Sequence, residues 1–304
     1  MFERVIIAAE FGRAGEEIYR CLKSLKPFGI RQCLLVQTVG PPVIDPRLSP
    51  LDPDQPPMVI MPPDLPDMAD ERLNGEKERL QELGLHVETR TVQLDLAHEL
   101  TRMAREEKSD LILVAEAEHT LLGQMLFGGV AHSVIHRAPC PVLQVRVPEE
   151  DESSGDELPE KDITNRILFP TDFSKNALLA FEQVREMVRM GVKNVILAHV
   201  QDSARISPHL IDQLETFNKE DLLRLEALQG ELQKNADVSV EIQLRYGTPA
   251  TELLQLIEDE DISLVIMGSQ GRGFIREISL GSVSQKIARH ASSSVLLVPA
   301  QHTG

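Results

Sequence analysis

Written one beneath the other, the two halves of this chain repeat each other, and the repeat restricts the fold more than any other feature. Arg4 to Gly12 (RVIIAAEFG) lies over Arg166 to Ser174 (RILFPTDFS) at an offset of 162 residues. From about Val87 onward the offset is 153. There LILVAEAEHTLLGQMLFGGVAHSVIHRAPCPVLQV, beginning at Leu111, aligns without gaps on LVIMGSQGRGFIREISLGSVSQKIARHASSSVLLV, beginning at Leu264. The nine extra residues of the first half fall between Gly40 and Pro66, a proline-crowded stretch that reads as an irregular loop. Between the halves runs Pro148 to Asp162 (PEEDESSGDELPEKD), eight acids against one lysine, which reads as a self-repelling, flexible linker. The chain therefore divides into residues 1–147, a linker over 148–162 and residues 163–304. That division suits a prior of roughly 150 residues per domain.

The second half alternates strand and helix patterns. Short branched runs predict strands at Ile167–Thr171, Val195–Val200, near Val238–Tyr246, at Leu264–Met267 and at Val295–Val298. Apolar spacing of three and four residues predicts helices over Lys175–Arg189, near His209–Lys234, over Pro249–Glu258 and over Ser282–His290. Alternation of this kind implies an α/β fold with a parallel sheet and helices on both faces. Right-handed crossovers make it doubly wound, with a ligand crevice at the carboxyl ends of the strands where their order reverses.

Charge and composition exclude several functions. A net charge of −17 repels phosphate backbones, so no nucleic-acid partner is expected. No apolar run reaches the roughly 18 residues that cross a bilayer, and MFERVIIAAEFGR lacks the pattern of a secretory leader. A soluble, cytoplasmic protein without a membrane partner is the expectation. Cys21, Cys33 and Cys140 form no CxxC pair and read as reduced, buried thiols.

Two strand ends in the second half carry the chemistry. The first is Pro170, Thr171, Asp172, Phe173, Ser174. A carboxylate directly after a buried strand can accept from a ribose hydroxyl or a base amine, and it can equally be a turn residue. Ser174 suits the N-cap of the next helix. The second is Gly268-Ser-Gln-Gly271, nine residues, then Gly281-Ser282-Val283-Ser284 opening a helix. Glycines let backbone amides approach phosphate oxygens closely, and a helix start adds unpaired N–H groups. The hydroxyls of Ser282 and Ser284 are further candidate donors.

PTDFS, LAHV and GSQGRGFIREISLGSVS resemble the universal stress protein family, including its G-x2-G-x9-G-[S/T] nucleotide motif. The resemblance covers nearly all of the second half and, more faintly, the first, so the whole is similar to a tandem member. It implies two doubly wound domains, each with a five-stranded parallel sheet of order 3-2-1-4-5. It also implies that Asp172 and the backbone of Val200 hold adenosine, that Pro170 and Thr171 line its pocket, and that Met267 and Gly268 contact the ribose region. Gly271, Gly281, Ser282, Val283 and Ser284 would cradle the phosphates of ATP, with ADP and AMP as alternatives and Mg2+ or Mn2+ carried by the phosphates. Arg272 and Arg276, in the intervening loop, read as surface residues within reach of a phosphate. The resemblance further implies antiparallel association through the last strands, Val142–Val145 and Val295–Val298, making an internal pseudo-dimer of the halves. Pairing there would hide two strand edges; a homodimer is a further option.

The first half departs from the motif. Asp172 is matched by Glu10, Gly268 by Ala115, Gly271 by Glu118 and Ser282 by Gly129, while Gly128 keeps its place. Carboxylate and phosphate about 4 Å apart repel by about 1 to 4 kcal/mol, so the first half is expected to be a structural or regulatory partner without a triphosphate. His132 and His136 share a helical face with Glu118 and His119 nearby in sequence, a metal-like spacing that more often belongs to exposed histidines.

Enzymatic turnover is not expected. No GxxxxGK[ST] supplies a phosphate lysine, and no residue stands out as an activator of water. Two other classes stay open: an adenine-nucleotide α-hydrolase enzyme, disfavoured by the missing SGGxDS loop, and a nucleotide-independent interaction protein using the Pro41–Pro66 loop or the first half's cleft.

Overall fold

The computed structural model describes residues 1–38, 65–93, 95–117, 129–148, 162–204, 206, 214–234, 236–271 and 280–300. The proline-rich stretch up to residue 64 and most of the acidic linker lie outside them. In the first half the elements are β1 (Arg4–Ala8), α1 (Arg13–Leu25), a short 3-10 turn, β2 (Gln32–Thr38), α2 (Leu65–Glu82), β3 (His86–Val92), α3 (Leu96–Glu106), β4 (Leu111–Ala117), α4 (Gly129–Arg137) and β5 (Val142–Val147). The second half repeats the order with β6 (Ile167–Pro170), α5 (Lys175–Arg189), β7 (Asn194–Asp202), α6 (Leu214–Gln233), β8 (Ser239–Gly247), α7 (Pro249–Asp259), β9 (Leu264–Gly268), α8 (Ser282–His290) and β10 (Ser294–Val298). Pro66 is thus helical rather than part of the loop, in the first turn, where a missing N–H breaks no helical bond. The start expected at His209 for α6 falls partly outside the described residues.

All ten strands join one sheet of order β3-β2-β1-β4-β5-β10-β9-β6-β7-β8. Each half therefore has the order 3-2-1-4-5, parallel throughout. The halves meet where β5 and β10 pair antiparallel, with Leu143 opposite Leu296. Those two residues are repeat counterparts at the 153-residue offset, so the junction is centred on a local pseudo-twofold axis. Two strands that would otherwise present open hydrogen-bonding edges cover each other.

Alternation along the strands splits the core into two apolar layers. Val5, Ile7, Ile167 and Phe169 face one layer with α1, α2, α5 and α6. Ile6, Ala8, Leu168 and Val265 face the other with α3, α4, α7 and α8. Both layers run through both halves, so the repeat has kept its pleat even where its motif has decayed. Local signals set the helix starts: Ser174 Oγ accepts from the N–H of Ala177 at 3.2 Å to cap α5, and Pro249 opens α7.

Among the described residues no helix is long and apolar enough to cross a membrane. Cys21, Cys33 and Cys140 are free and buried. Burial pushes the thiols of Cys33 and Cys140 up to about 12 and that of Cys21 higher still. The thiolate is the reactive form, so the native protein is expected to resist a thiol reagent at neutral pH and to take up label at all three positions once unfolded. Rapid labelling of the native chain, read by intact mass, would contradict this packing.

Candidate functional site

The strand order reverses between β6 and β9, and at their carboxyl ends opens a cavity of about 730 Å³. This is a volume usual for small-ligand sites. The eleven residues that the resemblance assigns to the nucleotide line it. Pro170, Thr171 and Asp172 come from the end of β6, Val200 from β7, Met267 and Gly268 from β9, Gly271 from the turn beyond, and Gly281, Ser282, Val283 and Ser284 from the start of α8. Arg272 and Arg276 lie outside the described residues.

The turn after β6 is held locally. Thr171 Oγ1 accepts from the N–H of Phe173, and Asp172 Oδ1 accepts from the N–H of Ser174, each at 3.0 Å. Asp172 is thus a turn residue as well as a wall of the cavity, and the two readings of it are compatible. Phe173 sits at a φ of 58°, a conformation that side chains seldom adopt. Its ring lies against His199 at 4.7 Å, with the Arg224 guanidinium on it. His199 Nδ1 stands 2.7 Å from the carbonyl of Thr171, which can only accept, so that nitrogen carries the hydrogen. The buried ring ties β7 to the turn.

The three motif glycines have different reasons. A Cβ on Gly271 would stand 2.6 Å from Oδ2 of Asp172, so the glycine admits the carboxylate. A Cβ on Gly268 would meet Nδ2 of Asn176 at 2.7 Å, and that amide donates to the carbonyl of Gln270 at 3.0 Å. Gly268 therefore lets α5 pack onto the end of β9. Gly281 is neither crowded nor strained: its added Cβ would find its nearest neighbours at 3.5 Å, and its φ of −73° suits any residue. What Gly281 does is cap α8 without a side-chain hydrogen bond. The first N–H groups of α8 have no intrahelical acceptor, and they open on the cavity with the positive end of the helix dipole.

Ser284 corrects one expectation. Its buried hydroxyl donates to the carbonyl of Gly268 at 2.9 Å. It pins α8 to β9 instead of pointing a donor at a ligand; its backbone N–H is what remains for an anion. The sequence reading also missed Lys286, which lines the cavity. Lys286 is four residues after Ser282, and residues so spaced share a helical face; that arithmetic would have found it.

The walls differ in character. Glu220 and Asp221 come from α6, and Asp202 from the end of β7. Asp221 Oδ2 accepts from Gln201 Nε2 at 3.0 Å. α6 and α8 pack on opposite faces of the sheet. An anion is favoured at α8, whereas α6 presents Glu220 and an Asp221–Arg224 ion pair at 3.3 Å, and Val200, Met267, Ala250 and Leu253 supply apolar surface between.

In the first half Glu10 is exposed beyond β1, Ala115 lies within β4, and Gly129 opens α4. Glu118, His119 and Gly128 lie outside the described residues. The His132 and His136 rings meet edge-on at 4.3 Å. Burial, then the neighbouring His132, hold His136 below the ordinary histidine range. Among the described residues no group of three potential metal ligands forms.

Comparison with known proteins agrees with this layout. The model of the universal stress protein family matches residues 43–146 and again 164–299, leaving the acidic segment between the two matches. A universal stress protein of Mycolicibacterium smegmatis is 30% identical over 219 residues, 71% of this chain and 69% of that protein. One from Methanocaldococcus jannaschii is 29% identical over 154 residues, 44% of this chain and 93% of the relative. The crystal structure of a universal stress protein from Archaeoglobus fulgidus superposes with a TM-score of 0.66 at 18% identity, covering 99% of this chain and 97% of that one. With the family's pattern matched in each half and its fold reproduced along the whole length, this chain belongs to the universal stress protein family, carrying two copies of the domain in tandem.

Proposed function

We propose that the second half binds an adenine nucleotide, ATP with ADP or AMP as alternatives, and that the protein works in the cytoplasm as a nucleotide-dependent signalling module rather than as an enzyme. The observation that carries the reading is the convergence of eleven sequence-selected residues on one cavity whose far wall is a helix start capped by Gly281 without a side chain. The base and ribose fit the apolar and hydrogen-bonding end beside Val200, Met267 and Asp172. The phosphates fit the N–H groups of Ser282, Val283 and Ser284, with Lys286 at hand. A magnesium or manganese ion would travel with the phosphates.

Slow turnover is part of this proposal. Of the carboxylates that line the cavity, Glu220 and Asp221 stand on the α6 side, across the sheet from α8, with Asp221 engaged by Gln201 and Arg224, while Asp172 accepts from the N–H of Ser174 in its own turn. The first half acts as a structural or regulatory partner, since Glu10 and Glu118 replace the acid and glycine of the motif.

The purified full chain is expected to carry about one adenine nucleotide, identified by mass spectrometry after denaturation. Mg-ATP at 100 times its dissociation constant should stabilise the native state by roughly 2.7 kcal/mol. Two nucleotides per chain would refute the assignment of the first half. Unchanged thermal stability, with no copurifying nucleotide, would refute the binding function.

A further inference from the structure

Arg146 belongs to β5, in the first half, yet its side chain enters the second. Its Nη2 donates to the carbonyl of Ala288 at 2.9 Å, in the last turn of α8. Its backbone N–H donates to Oγ of Ser294 at 3.1 Å, at the start of β10. The residue is 7% exposed. Glu116, also buried, stands opposite it in the β4/β5 register and accepts from Gln144 Nε2 at 2.7 Å.

The last carbonyls of a helix lack intrahelical partners and form the negative end of its dipole. A buried guanidinium there holds the helix from behind. The helix so held is the one whose opposite end, Ser282 to Ser284, faces the cavity. The repeat makes the arrangement one-way: at the 153-residue offset Arg146 corresponds to Pro299 and Ala288 to Ile135. Proline has no side-chain donor, so the second half cannot return the contact to α4.

We propose that Arg146 is a positioning residue for the nucleotide site. Through this side chain the first half helps to fix where α8 sits along its axis, and hence how well its N-terminus holds phosphate. The claim rests on the nucleotide reading above. Because α8 meets the phosphates and not the base, removing Arg146 weakens a ligand according to its phosphate content.

The test uses the full chain with Arg146→Met and Arg146→Lys. Calorimetric titration with Mg-ATP and with adenosine is paired with hydrogen exchange of residues 282–290 in the absence of ligand. Arg146→Met is expected to weaken ATP about tenfold while adenosine changes by less than about twofold. Exchange should quicken in α8 and not in α7. Arg146→Lys keeps the charge and a donor and should recover most of the ATP affinity.

Equal losses for ATP and adenosine, or no loss of ATP, would overturn the proposal. So would an Arg146→Lys protein that melts like wild type yet binds ATP as poorly as Arg146→Met. If wild type takes up neither ligand, the nucleotide reading is what fails. Exchange then decides the placement of α8 by itself, and unchanged exchange in Arg146→Met overturns it.

Discussion

Replacing Gly281 with tryptophan is expected to leave the protein folded and to lower its affinity for Mg-ATP more than a hundredfold. The fold should survive because the position is extended, at φ −73° and ψ 153°, and because an added Cβ stands 3.5 Å from its nearest neighbours. The indole must then go where there is room, into the cavity at the first turn of α8. Losing two charge-assisted hydrogen bonds there costs about 3 to 6 kcal/mol, and each 1.4 kcal/mol is about tenfold in affinity. Titration calorimetry and circular dichroism on the same sample separate the two effects. Full nucleotide occupancy in a folded Gly281→Trp protein would place the phosphates somewhere other than at α8.

A second large effect is expected in the core beneath the site. Phe169 is fully buried in β6, its ring 5.4 Å from that of Phe181 on α5, and it directly precedes Pro170 at the cavity. Phe169→Ala removes most of that ring contact and leaves a void that two close-packed layers cannot collapse into. The expected loss is about 3 to 5 kcal/mol. For a domain of this size that lowers the melting temperature on the order of 10 °C. Leu223→Ala, on the exposed face of α6, serves as the control and should move stability by less than about 0.5 kcal/mol. Equal melting curves for the two variants would mean that the layer around Phe169 is looser than its burial indicates.

Helices and strands were legible where a local signal and a hydrophobic period agreed. The bounds of α5 and α8 match the expectation because Ser174 and Gly281 mark their starts independently of the apolar spacing. The strand order and the β5/β10 junction were legible only through the family resemblance. Within the site, sequence located the residues better than it explained them. Spacing showed that Gly268 and Gly271 mattered, but their reasons are the neighbours Asn176 and Asp172, which only the folded chain brings near. A serine at the start of α8 looks like a phosphate donor until its hydroxyl is found on the carbonyl of Gly268.

Other roles depend on tertiary pairing alone. Arg146 reads as an ordinary strand residue, since nothing adjacent to it indicates that the end of α8 lies beside it. His199 and Asp221 reach the cavity from β7 and α6, 22 residues apart in sequence. No short motif links them, so the acidic wall was invisible until the helices were in place.

The antiparallel seam between Leu143 and Leu296 also bears on how such a molecule can change over time. Two separate chains meeting at this surface would dissociate on dilution, and either could meet a wrong mate. Joined in one chain, the two sides meet at a rate that does not depend on how much protein is present, and each always finds the same neighbour. One side can therefore lose its glycines and acquire carboxylates while the other keeps the motif, with no symmetric copy to inherit the damage.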